Sequence, residues 1–113
     1  MAGIAVLCEV QGGEIAKGSL GVLEEAARLG AALGEPVEAI VCGSGLEDAA
    51  MGALGGFGAS KVRVADDAAL ASGIAQPVVD ACASAQESGQ YRYWLAGASI
   101  MAADAMAGLA ARL

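Results

Sequence analysis

A chain of 113 residues has room for one modest core, and 57 % of it is hydrophobic with only four aromatic residues, so that core is built from small side chains. A net charge of -7, with six basic residues scattered along the chain, excludes a phosphate-tracking nucleic-acid surface. No apolar run reaches the length of a membrane span, histidine is absent, and the three cysteines Cys8, Cys42 and Cys82 form no CxxC pair.

The N-terminus MAGIAVLCEV has no basic region before its apolar stretch and carries an acid at Glu9. It reads as the start of a soluble, cytoplasmic chain rather than as a secretion signal. In such a compartment the cysteines are expected to be reduced and buried.

Gly3–Val10 predicts a buried strand, closed by the turn signal QGGE. Ser19 predicts a helix N-cap, and the segment after it places Leu20, Leu23, Ala27 and Ala31 on one face. Gly34 predicts the helix stop. Pro36–Gly43 predicts a second strand with its proline at the entry.

Ser44, with Glu47 three residues on, fits a capping box for a glycine-rich helix, GLEDAAMGALGGFG, ended by Gly58. Ser60–Asp66 predicts a third strand, with Val62 and Val64 on one face and Lys61 and Arg63 on the other. That alternation predicts an edge position. Asp66 or Asp67 can cap the turn that follows.

Ala75–Gly89 predicts a helix with Pro77 in its first turn. A fourth strand is expected within Gln90–Gly97, its alternation placing Tyr91 and Tyr93 opposite Arg92 and Trp94. Trp94 is expected in the core rather than as a cofactor platform. Ala98–Leu113 predicts a final amphipathic helix.

Strands alternating with helices imply parallel pairing and right-handed crossovers. The fold class is therefore α/β: a single-domain three-layer α/β/α sandwich, residues 1–113, with an open parallel sheet. It is expected to be truncated after the fourth strand and its helix.

Ligands of such sheets sit beyond the carboxyl ends of the strands. The glycine-containing loops there make Gly43, Ser44, Gly45, Gly97 and Ser99 weak candidates for cofactor binding through backbone N–H groups. There is no GxGxxG and no GxxxxGK[ST], and Glu47 and Asp48 sit in the turn a phosphate would want. Ser44 and Ser99 have no histidine to activate them, and Cys8 and Cys42 have no basic neighbour to lower a thiol pKa, so no catalytic residue and no metal site is expected.

Three stretches, taken in order, carry a resemblance. GASKVRVADDAAL, the run from Gly3 to Gly45, and WLAGASIMAADAMAGLAARL together resemble the N-terminal domain of the electron transfer flavoprotein α subunit. The resemblance spans nearly all of this chain but only the first part of that longer subunit.

It implies a sheet of the adenine nucleotide α-hydrolase-like type with strand order 3-2-1-4. It also implies a heterodimer with a β subunit, relaying electrons from dehydrogenases through FAD. In that family FAD is held mainly by a C-terminal domain of α, so this chain alone is not expected to hold it, and AMP or a second FAD is held by β. Where the family often has basic residues after the fourth strand, this chain has Ala102, Ala103, Ala107 and Gly108.

The resulting expectation is a scaffold and subunit-interface domain that is no enzyme itself. The alternative is a stand-alone nucleotide-binding module of the universal-stress-protein type, which would need a phosphate loop after the fourth strand. A homo-oligomer of this chain, formed through the apolar faces of the last and the glycine-rich helices, is a further expectation.

Overall fold

The computed structural model describes residues 3–11, 14–43, 52–66, 75–97 and 99–112. Four parallel strands make the sheet: β1 (Ile4–Gln11), β3 (Val37–Gly43), β4 (Lys61–Asp66) and β5 (Tyr93–Ala96). Their spatial order is β4-β3-β1-β5, the 3-2-1-4 order expected of the four strands, with β4 at one edge. A two-residue strand β2 (Glu14–Ile15), read from the sequence only as a turn, returns antiparallel along the end of β1.

The apolar residues of β1 divide between two cores because strand side chains alternate. Ile4, Val6 and Cys8 face helix α1 (Lys17–Leu33), where they meet Leu23 and Ala26. Ala5 and Leu7 face α2 (Ala75–Gly89) and α3 (Ile100–Arg112), where they meet Val78, Cys82, Ala105 and Leu109. Helices thus cover both faces, which is the three-layer α/β/α architecture.

Helix α1 is turned relative to its expected face. Ser19, Leu23, Ala26 and Gly30 are the buried positions, and Ala31 is exposed. Close approach decides this rather than side-chain size. A Cβ on Gly30 would stand 2.7 Å from the Glu35 carbonyl oxygen and 2.9 Å from Val37 Cγ2. The smallest residue therefore marks the line of contact with β3.

The N-cap of α1 is Ala16, in extended conformation, and not Ser19, which lies inside the first turn with its hydroxyl used elsewhere. Gly34 ends the helix as expected, at φ 69°, where its left-handed backbone lets the chain reverse.

Of the glycine-rich helix, residues 44–51, including the expected cap of Ser44 and Glu47, lie outside the described residues. Its end, Ala53–Phe57, is a tight 3-10 helix stopped by Gly58 at φ 106°. Leu54 anchors that turn in the core shared with α1. Helix α2 has the predicted bounds Ala75–Gly89.

The alternation expected around β5 starts later than the sequence suggested. Gln90 takes a left-handed φ of 49° and Arg92 is in a bend, so the extended backbone begins only at Tyr93. Tyr91 consequently lies on the same side as Trp94, their rings meeting edge to face at 5.5 Å, while Tyr93 is exposed.

Candidate functional site

The strand order reverses between β1 and β5. The chain leaves β1 into α1 on one face and leaves β5 into α3 on the other. In open α/β sheets this switch point, at the carboxyl ends of the strands, is the place where a ligand can enter between diverging helices.

Glu9 sits there, near the end of β1 and level with Cys42 of β3. Three of its groups are fixed. Its N–H donates to Ser19 Oγ at 2.8 Å, and its carbonyl accepts from the Ala16 N–H at 2.9 Å. Its carboxylate oxygen Oε1 accepts from the Ser99 hydroxyl.

Ser99 in turn caps α3, its Oγ accepting from the Ala102 N–H at 3.0 Å. Gly97 brings the end of β5 against the first turn of α1, where a Cβ would lie 3.6 Å from the carbonyl carbon of Gly18. The starts of α1 and α3 therefore converge on one residue, α1 on the backbone of Glu9 and α3 on its carboxylate.

Two of the weak candidates, Gly97 and Ser99, are brought together at this edge. Gly43 is buried at the end of β3, paired with Asp66. Ser44 and Gly45 lie outside the described residues. Sequence reasoning missed Glu9 as the centre of the arrangement, although an acid at the carboxyl end of an otherwise apolar strand was the available signal.

Chemically the edge offers one carboxylate, bonded by the Ser99 hydroxyl, and a second hydroxyl, Ser19, held by the Glu9 backbone N–H. The Glu9 carboxylate reaches the start of α3 through the Ser99 hydroxyl, and a negative charge is favourable at that end of a helix. An anionic ligand reaching this edge would meet the Glu9 carboxylate.

A second polar cluster lies toward the amino ends of the strands. Glu38 on β3 accepts from Tyr91 Oη at 2.7 Å and from Arg63 Nε at 2.9 Å. The Arg63 guanidinium stands 5.9 Å from the centre of the Tyr91 ring. Gln86 on α2 accepts from the Trp94 indole N–H at 2.8 Å and donates to the Tyr91 carbonyl at 3.2 Å. Burial pushes the Glu38 carboxyl up, but the bonds from Arg63 and Tyr91 outweigh it and hold the group below the ordinary carboxylate range.

All three cysteines are buried and free. Burial, with Cys42 nearby, pushes the Cys8 thiol up to about 12. The contact with Cys42, and then burial, pushes the Cys82 thiol up as well. The Cys8 and Cys82 thiols are therefore poor nucleophiles at neutral pH. Among the described residues no cluster of His, Cys, Asp and Glu could hold a metal ion, and no helix is long and apolar enough to cross a membrane.

Comparison with known proteins adds one finding. A family model described as the electron transfer flavoprotein domain matches residues 4–113. No curated protein matches the chain.

Proposed function

Because the chain belongs to the electron transfer flavoprotein domain family, whose members act as electron carriers rather than catalysts, we propose that it is the N-terminal domain of an α-type subunit. In this reading residues 1–113 form one domain in the cytoplasm. The domain builds the carrier and supplies a surface to its β subunit, while FAD is held by other parts of the complex. It takes part in electron relay from dehydrogenases by assembly, with no catalytic residue of its own.

The observation that carries this reading is the Glu9 carboxylate seated on Ser99 at the switch point. A domain that bound a nucleotide at this edge would have to displace an anion already bonded to the capping hydroxyl of α3. Helix α3, capped by Ser99, carries Ala102, Ala103 and Asp104 in its first turns, with no cation there among the described residues to compensate.

The test is the visible spectrum of the purified chain after incubation with FAD and desalting. No retained flavin band is expected. A stoichiometric band would overturn the scaffold reading and make the edge around Gly43 and Gly97 a cofactor site. Co-expression with a β subunit is expected to give a complex that survives gel filtration, and failure to form one would remove the subunit-interface role.

A further inference from the structure

Cys42 and Cys82 are buried thiols that the proposed role leaves unused. In the β1–β3 register Ala5, Leu7 and Glu9 stand level with Glu38, Ile40 and Cys42. Residues level across neighbouring strands point to the same face of the sheet. Ala5 and Leu7 face α2, so Ile40 and Cys42 face it too, and all four share one core with Cys82. On α2 itself Val78, Cys82 and Ala85 recur at helical spacing and form the stripe turned to that core.

The two thiols meet there, their side chains hydrogen-bonded to one another. Cys8 is directed elsewhere. It stands level with Val41, turns to the opposite core beneath α1, and donates from its Sγ to the Val6 carbonyl oxygen at 3.7 Å. The sheet therefore lies between Cys8 and Cys82, and the fold selects one pair from the three cysteines.

The members of the pair differ in access. Cys82 is fully buried, whereas Cys42 keeps 7 % exposure near the carboxyl end of β3. The hydrogen bond lowers the Cys42 thiol against the opposing effect of burial, while the same bond and then burial raise the Cys82 thiol. A disulfide is attacked by a thiolate rather than a thiol. Cys42 is thus the attacking member and Cys82 the resolving one.

We infer that Cys42 and Cys82 form a redox-sensitive staple between β3 and α2, closed by a low-molecular-weight disulfide and opened by a dithiol. Closing takes two exchanges. In the first, the Cys42 thiolate attacks one sulfur of the small disulfide. A mixed disulfide forms, the small S–S bond breaks, and the leaving thiolate takes up the proton that Cys42 gave up. In the second, Cys82 gives up its proton and attacks Cys42 Sγ. The Sγ–Sγ bond forms, and the second small thiolate leaves and takes up that proton. The cysteine pair loses two electrons, and the small disulfide gains them and becomes two thiols. The new bond closes a loop that contains β4, so it restricts the unfolded chain and holds α2 against the sheet. It rests on the core beneath α2 and is independent of the role proposed at the switch-point edge.

The test is incubation of the folded full chain with excess oxidised glutathione, followed by iodoacetamide in denaturant, intact mass and a peptide map. Before alkylation a mass lower by about 2 Da is expected. Cys8 alone should then be alkylated, with one peptide pair joined through Cys42 and Cys82. The same incubation in urea is expected to give a mixture of all pairings. Dithiothreitol should restore three free thiols, and the oxidised chain should melt about 5 °C or more above the reduced one. Cys8→Ala should leave the staple intact, and Cys82→Ala should abolish it.

Three alkylated thiols after incubation overturn the inference. So does a bond that includes Cys8, a bond between two chains, or a glutathione adduct that stays on Cys42. The same mixture of pairings with and without urea would show that the fold selects nothing, and an oxidised chain that melts no higher would remove the staple. Should a variant fail to fold, the peptide map of the unaltered chain decides alone.

Discussion

The Tyr91 hydroxyl donates to Glu38 Oε1 at 2.7 Å across 53 positions of sequence, linking the start of β5 to β3 beneath the intervening β1. Two glycines line its path. A Cβ on Gly3 would stand 3.6 Å from Tyr91 Cδ1, and one on Gly89 would stand 2.6 Å from Tyr91 Cε2. The bond is to a carboxylate and is part-buried, so Tyr91→Phe is expected to cost about 1.5–3 kcal/mol. Urea denaturation checks it: the midpoint should fall while the slope stays constant. An unchanged midpoint would show that Arg63 alone satisfies Glu38.

The same pair sets opposite limbs of the pH profile. Burial, followed by the bond to Glu38, pushes the Tyr91 phenol up to about 12. The folded chain therefore keeps a proton that the unfolded chain releases near the ordinary value of about 10. Stability is full below pH ~10 and falls on the order of 2–3 kcal/mol as pH rises to ~12. Cys8, pushed up to about 12 by burial, adds to the same limb.

For Glu38 the sign reverses. Its folded carboxyl lies below the ordinary value, so its contribution is full above pH ~4.3 and is lost as the pH falls through the folded pKa. Denaturation midpoints of Glu38→Gln, measured from pH 7 down to pH 3, should show a flatter acid limb than those of the unaltered chain. An acid limb of equal steepness would assign the loss to other carboxylates.

Two glycines of α1 should respond to alanine with opposite signs. Gly21 is exposed and a Cβ there meets nothing within 4 Å, so Gly21→Ala should stabilise the chain by about 0.5–1 kcal/mol through the unfolded state. Gly30 faces the Glu35 carbonyl oxygen at 2.7 Å from the added Cβ. Backbone cannot step aside as a side chain can, so Gly30→Ala should cost about 1–3 kcal/mol. Thermal melts of the two variants side by side check the contrast.

This contrast also explains what the sequence revealed of the fold and what it hid. Strand and helix order was legible because periodicity switches cleanly, as between Val37–Gly43 and Ala75–Gly89. The edge position of β4 was legible from the alternation in Lys61–Asp66. The rotation of α1 was not, because hydrophobicity ranks Leu20 above Gly30, whereas packing distance ranks them the other way. Tyr91 was misplaced because alternation was counted through the left-handed Gln90 and the bend at Arg92. The polar pairings Glu9–Ser99 and Glu38–Tyr91 join residues 90 and 53 positions apart, beyond any local pattern.

The Glu9–Ser99 pairing yields the most discriminating substitution at the switch point. Serine and aspartate are near-equal N-caps in an isolated helix, and removing either for alanine costs about 1 kcal/mol. Here Ser99 caps α3 with its oxygen and donates its proton to Glu9. Ser99→Ala should therefore lose the cap and leave the carboxylate without that donor, for about 1–2 kcal/mol in all. Ser99→Asp keeps a capping oxygen but brings a second anion against Glu9, with no proton to donate at neutral pH. It should be destabilised at least as much as Ser99→Ala at pH 7, despite its capping strength, and should recover as the pH is lowered and one carboxyl takes up a proton. Ser99→Asp in a Glu9→Gln background should regain stability at pH 7, because the amide can donate where the carboxylate could not. Denaturation midpoints of the single and double variants form the cycle that reads this coupling. Additive effects across the cycle would mean that Glu9 and Ser99 act independently at the start of α3.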